Sequence, residues 1–136
     1  MKPVIQQEAT GCTIASTAAL AGVSYAAAKK VANNLGISAD DSSLWSDPAS
    51  IRRLLRHYHI STDNTQTPFK TWQALPDRAL LAIKWHREKG KAYWHWVVFV
   101  RDDSGEYVLD SNRKLKQPVR TDFGRIKPKW FITVNR

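Results

Sequence analysis

The chain carries a single cysteine, Cys12, and four histidines, His57, His59, His86 and His95. A thiolate that attacks a carbonyl and an imidazole that carries the proton form a minimal apparatus for cleaving an amide. Cys12 opens the small-residue run CTIASTAAL, directly after Thr10 and Gly11. That pattern predicts a helix whose first residue is the cysteine. Free N–H groups and the helix dipole at such a position favour the thiolate and donate to an oxyanion. The competing reading is a buried thiol that fills space beside Ile14. Gln6 stands six residues before Cys12 and offers a side-chain amide as a second oxyanion donor; Gln7 competes with it.

His95 lies in the run YWHWVVFV, apolar on both faces, which predicts a central strand. The sequence DDSG at 102–105 predicts a tight turn. If that turn pairs Arg101 with Glu106, antiparallel register sets His95 opposite Asn112, with Asp110 a diagonal neighbour on the same face. Either residue would hold the imidazole in one tautomer, as a general base requires. A one-residue bulge would reverse the face. His57 and His59 flank the end of a helix and are expected to face solvent. His86 ends the preceding strand and is the runner-up base.

The elements that must position these groups follow from periodicity. Helix one should run over about 12–20 and stop at Gly22. Helix two follows the N-cap Ser24, with Tyr25, Ala28, Val31, Ala32 and Leu35 as its apolar stripe and Gly36 at its end. Helix three begins at Asp47-Pro48, a cap followed by a first-turn proline, and buries Ile51, Leu54, Leu55 and Tyr58. A short helix is expected over 68–75 through Phe69, Trp72 and Leu75. Strands are expected over 79–85, 94–100, 106–110 and 130–134. Helices followed by an antiparallel sheet imply an α+β fold. The loops at 36–46 and 87–92 are candidates to line a cleft.

The 136 residues suit one domain spanning the whole chain, and 43% apolar residues with six Trp supply a core. One cysteine excludes an intramolecular disulfide and a Cys-based structural zinc site, and no motif implies a cofactor or metal. No apolar run reaches the roughly 18 residues of a membrane span, and no secretory signal is visible. The expected location is cytoplasmic, with leaderless export as the other route. The net charge of +9 suits an acidic partner, but it is spread over 29–30, 52–56, 84–91 and 113–129 rather than in one tract. The oligomeric state has no signature in the sequence.

Two stretches, QQEATGCTIASTAALAGV at 6–23 and HWVVFVRDDSGEYVLD at 95–110, resemble the papain-like cysteine peptidases, most closely the C39 and C39-like peptidases of bacteria and phage. The resemblance implies a papain-like fold and a thiol peptidase acting on a peptide or protein. It implies Cys12 as nucleophile, His95 as base, Asp110 as its orienter and Gln6 in the oxyanion hole. Two positions depart from the family pattern. Thr13 stands where glycine usually follows the cysteine, and would narrow the cleft. Ser111 stands where proline often follows the aspartate. The leader-processing members are fused to transporters, and no transporter segment is present here.

Two other functions fit the composition. One keeps the same chemistry on a cell-wall amide or a protein glutamine, as in papain-fold cell-wall amidases and deamidating toxins; the positive charge suits an anionic target. The other is a non-enzymatic basic module that grips single-stranded nucleic acid through tryptophans. Trp72, Trp94 and Trp96 sit in core-like patterns, which disfavours nucleic acid.

Overall fold

The computed structural model describes residues 1–135 and is α+β, with three helices and a seven-stranded antiparallel sheet. The helices come first: α1 (Cys12–Ala21), α2 (Tyr25–Asn34) and α3 (Pro48–His57). A short 3-10 helix, Ser42–Ser46, lies between α2 and α3. The strands are β1 (Ser61–Thr62), β2 (Thr67–Pro68), β3 (Arg78–Glu88), β4 (Lys91–Asp102), β5 (Gly105–Leu109), β6 (Val119–Arg120) and β7 (Trp130–Asn135). Their spatial order is β1-β7-β3-β4-β5-β6, with β2 also paired to β7.

Local chemistry sets the helix ends. The Ser24 side chain accepts from the Ala27 N–H at 3.1 Å, and Asp47 accepts from the Ala49 N–H at 2.8 Å. Gly22, at φ 70°, closes α1 in the left-handed region that other residues enter at a cost. Every residue of α1 from Cys12 to Leu20 is buried. A helix buried on all sides must be central. One face of α1 meets Ala28 and Ala32 of α2 and Leu54 of α3, while its other side reaches the sheet.

Alternation along β4 builds both faces of the sheet. Trp94, Trp96, Val98 and Val100 pack toward α1 and α3, with Leu80, Ala82 and Ile132. Val97 and Phe99 face the opposite side, where Leu75, Leu81, Val108 and Ile126 cover them. The hairpin register Arg101↔Glu106 is as the turn predicts. The β3–β4 ladder contains a bulge: Ile83 pairs with His95, yet His86 pairs with Tyr93. Two residues of β3, Lys84 and Trp85, therefore oppose one residue of β4.

The helix expected over 68–75 is absent. The segment leaves β2 at Pro68 and turns, with Thr71 Oγ1 accepting from the Ala74 N–H at 3.2 Å. Pro68 and Pro76 bracket it, and a stretch this short gains little from helix cooperativity. Phe69 and Trp72 still pack where their hydrophobicity sends them, against the outer face beside Phe99 and Phe123. The strands β1, β2 and β6 are two residues each, too short to show a period.

Candidate functional site

The β4–β5 ladder ends at Val98↔Leu109. His95 and Asp110 lie just beyond this last rung, where the two chains are no longer bound to each other through the backbone. Asp110 Oδ1 accepts from His95 Nε2 at 2.8 Å. The same carboxylate accepts from the Asn112 N–H at 3.1 Å and, through Oδ2, from Arg120 Nη1 at 3.0 Å. The side chain of Asp110 is 1% exposed. Burial by itself would raise its pKa, but hydrogen bonds from His95, Asn112 and Arg120 and the charge on His95 hold it below the usual carboxylate range. Of the two candidates for holding the imidazole, it is Asp110 whose side chain does so. Asn112 contributes its backbone amide.

Cys12 stands against the same imidazole at the N-terminus of α1. Burial pushes the His95 pKa down, but the hydrogen bond to Asp110 and the sulfur of Cys12 outweigh it and raise the value to about 9. With Nε2 committed to Asp110, the ring nitrogen left for the thiol is Nδ1. The cysteine is fully buried. No side chain caps α1: Gly11 has none to offer, so the first-turn amides point at the sulfur's end of the helix without a side-chain acceptor.

Gln6 is buried and Gln7 exposed, which separates the two. Ser111 holds Gln6 twice. The Ser111 hydroxyl donates to Gln6 Oε1 at 2.6 Å, and the Ser111 carbonyl accepts from the Gln6 N–H at 3.0 Å. The amide nitrogen donates to the carbonyls of Glu8 and Ala9, both at 3.0 Å. Both amide hydrogens are therefore engaged in folding the loop that leads to Cys12. The side chain at Ser111 supplies one of these anchors, a role that a proline could not fill.

The rest of that loop is fastened to α2 and to the segment after β5. Glu8 accepts from the Tyr25 hydroxyl and from Lys29 Nζ, the latter at 2.6 Å. Arg113 Nη1 donates to the Gln7 carbonyl at 3.0 Å. Gly11 matters for space, not for backbone angle. A Cβ there would strike the Tyr25 hydroxyl and come within 3.1 Å of both Gln6 Cβ and the Glu8 carbonyl. Replacing Gly11 by Ala is expected to cost about 1–3 kcal/mol, as overpacking does. A urea denaturation midpoint measures it, and an unchanged midpoint would show that the loop gives way freely.

A cleft of about 390 Å³ opens beside His95. Gln6, Glu8 and Ala9 form one wall, Asn112 to Lys114 another, and Trp45, Lys84, His86 and Trp94 the remainder. Trp45 comes from the expected cleft loop at 36–46. From the 87–92 segment nothing reaches the cleft, because those residues form the outer end of the β3–β4 hairpin. Thr13 does not narrow it either. Its side chain is fully buried in α1, and Oγ1 has no hydrogen-bond partner among the described residues. His57 and His59 are exposed. His86 is exposed at the cleft rim, with Nδ1 donating to the Lys84 carbonyl at 2.9 Å. Among the described residues no three His, Cys, Asp or Glu side chains converge as a metal site would need.

No family model matches the chain, and neither curated proteins nor solved structures yield a match. The reading of the site therefore rests on its own geometry. Sequence reasoning missed two of its residues. Arg120 sits on a two-residue strand far along the chain, with no motif around it. The Ser111–Gln6 pair joins residues 105 apart and leaves no local trace.

Proposed function

We propose that the protein is a cysteine peptidase or closely related amide hydrolase with a papain-like, C39-like fold. The observation that carries this reading is the continuous run from Cys12 through His95 to Asp110 at a helix N-terminus beside an open cleft. In the reaction, the Cys12 thiolate attacks the substrate carbonyl and forms a tetrahedral intermediate. The Cys12 backbone N–H and the Gln6 amide stabilise its oxyanion, the latter by exchanging one of its carbonyl acceptors for the new charge. The intermediate collapses, the C–N bond breaks, and protonated His95 gives its proton to the departing amine. Neutral His95 then takes a proton from water. The resulting hydroxide adds to the thioester, and the acid leaves as the thiol is restored. Asp110 keeps the imidazole oriented throughout.

Nothing in this scheme calls for nucleic acid. Trp94 and Trp96 are buried and pack edge-to-face with each other and with Trp130, so they form core and not a stacking platform. No helix among the described residues is long and apolar enough to cross a membrane.

Alkylation by iodoacetamide tests the proposal directly. The native chain is expected to label at Cys12 without denaturant, and the His95→Ala variant at least about ten-fold more slowly, because the imidazole that takes up the thiol proton is gone. Labelling that requires denaturant in both chains would make Cys12 a packed core residue and end the proposal.

A further inference from the structure

The charge around the cleft is one-sided. Lys84 and Lys114 line it, and neither makes an ion pair among the described residues. Arg113 adds a third cation. The one carboxylate in the lining, Glu8, is already bound to Lys29 and Tyr25. Lys84 is placed there at a cost. It occupies the β3 bulge at φ 52°, a left-handed conformation unfavourable for a side chain with a Cβ, and the bulge lies one residue past the Ile83↔His95 pair. The imidazole of His86 fixes that carbonyl from outside. The indoles of Trp45 and Trp94 line the same cleft. Free cations beside apolar lining recognise a carboxylate carried on a side chain that also has apolar bulk.

We propose that this cleft is the specificity subsite for an acidic side chain of a polypeptide substrate, its carboxylate held between Lys84 and Lys114 next to His95. This rests on the cysteine-peptidase reading for its purpose, but not for its test, which measures binding alone. The cleft has room for such a side chain, since about 390 Å³ lies within the roughly 300–1,000 Å³ range of ligand sites. Lys84 keeps a cationic side chain at the cleft in a left-handed position that glycine would enter more easily.

The test uses the Cys12→Ala chain, so that no turnover occurs, and two fluorescein-labelled peptides identical except that Glu in one is Gln in the other. Fluorescence anisotropy at low salt should show the Glu peptide bound about five-fold or more tightly, a preference that shrinks as salt rises. Lys84→Gln and Lys114→Gln should each reduce the preference about two- to three-fold. Lys84→Gly should abolish the Lys84 share while raising the melting temperature, which separates recognition from folding. Lys30→Gln and Arg56→Gln remove exposed cations that do not line the cleft and should leave the preference intact. Equal binding of the two peptides, or an equal loss in the Lys30 and Arg56 variants, would overturn the proposal. Displacement of the Glu peptide by an anionic polysaccharide or oligonucleotide at lower concentration than by unlabelled Glu peptide would overturn the assignment to a polypeptide. Alkylation of Cys12 reports on the catalytic reading separately.

Discussion

Replacing Cys12 by Ala is expected to lower hydrolysis of a mixed peptide library by at least about 10⁴-fold while leaving the fold in place. Removal of a catalytic nucleophile has effects of this order or larger, because no other group can form the acyl intermediate. The structural cost should be small by comparison. One sulfur leaves a cavity in a fully buried site, and Ala retains the helical preference of a run already rich in alanine. The far-UV spectrum should therefore be unchanged. The same variant carries a second readout that a packing role would not give. Cys12 is one of two groups that raise the His95 pKa to about 9. Without it, burial is opposed only by the hydrogen bond that His95 donates to Asp110 and by the charge of that carboxylate, and the His95 titration followed by NMR should move down. A histidine titration indifferent to Cys12 would show that the two side chains do not communicate.

The sign of the pH dependence follows from the same shift. A histidine raised from 6.5 to about 9 keeps its proton through neutrality. Its favourable interactions are complete below about 6.5 and are lost as pH rises through about 9. Both the stability and kcat/KM of the native chain should decline on that alkaline limb, the latter because the leaving amine then lacks its proton donor.

The Asp110→Ala variant should suffer in both fold and activity. Its carboxylate is the buried partner of His95 and of Arg120 at once. Deleting it leaves two cationic groups facing an empty site, a change that costs about 3–5 kcal/mol when one member of a buried pair is removed. Loss of the group that orients a catalytic histidine lowers turnover by about 10⁴-fold in the best-studied triad, and a fall of roughly 10²–10⁴-fold is expected here. Asp110→Asn separates the two effects. An amide oxygen can still accept from His95, but its NH₂ would then oppose Arg120, which donates rather than accepts. Adding Arg120→Ala to Asp110→Asn should therefore recover part of the lost stability. Urea denaturation of the two single variants and the double variant measures this coupling. Additive losses would place Arg120 outside the interaction.

Most regular elements were legible in the sequence because their signals are local. Ser24, Asp47-Pro48 and Gly22 mark helix boundaries by capping chemistry that acts within a single turn. The double-sided apolar pattern at 94–100 marks a strand covered on both faces, and the DDSG turn fixes its register with β5. The segment 68–75 misled because three large apolar residues at helical spacing also suit an irregular chain lying on a sheet. Periodicity reports burial, and conformation only through it.

By itself the sequence determined the α+β class, the order of helices before strands, the placement of Cys12 at a helix mouth and the hairpin that carries His95 toward Asp110. Only the tertiary structure showed that Gln6 is buried and Gln7 exposed, that Asp110 and not Asn112 puts its side chain on His95, and that the thiol reaches the imidazole. It also put Lys84 in the lining of the cleft, at a bulge that no pattern of residues announced. The physical reason is the range of the interactions. Caps, turns and alternation are settled among neighbours along the chain, whereas the site is closed by contacts between residues such as Gln6 and Ser111, which folding alone brings together.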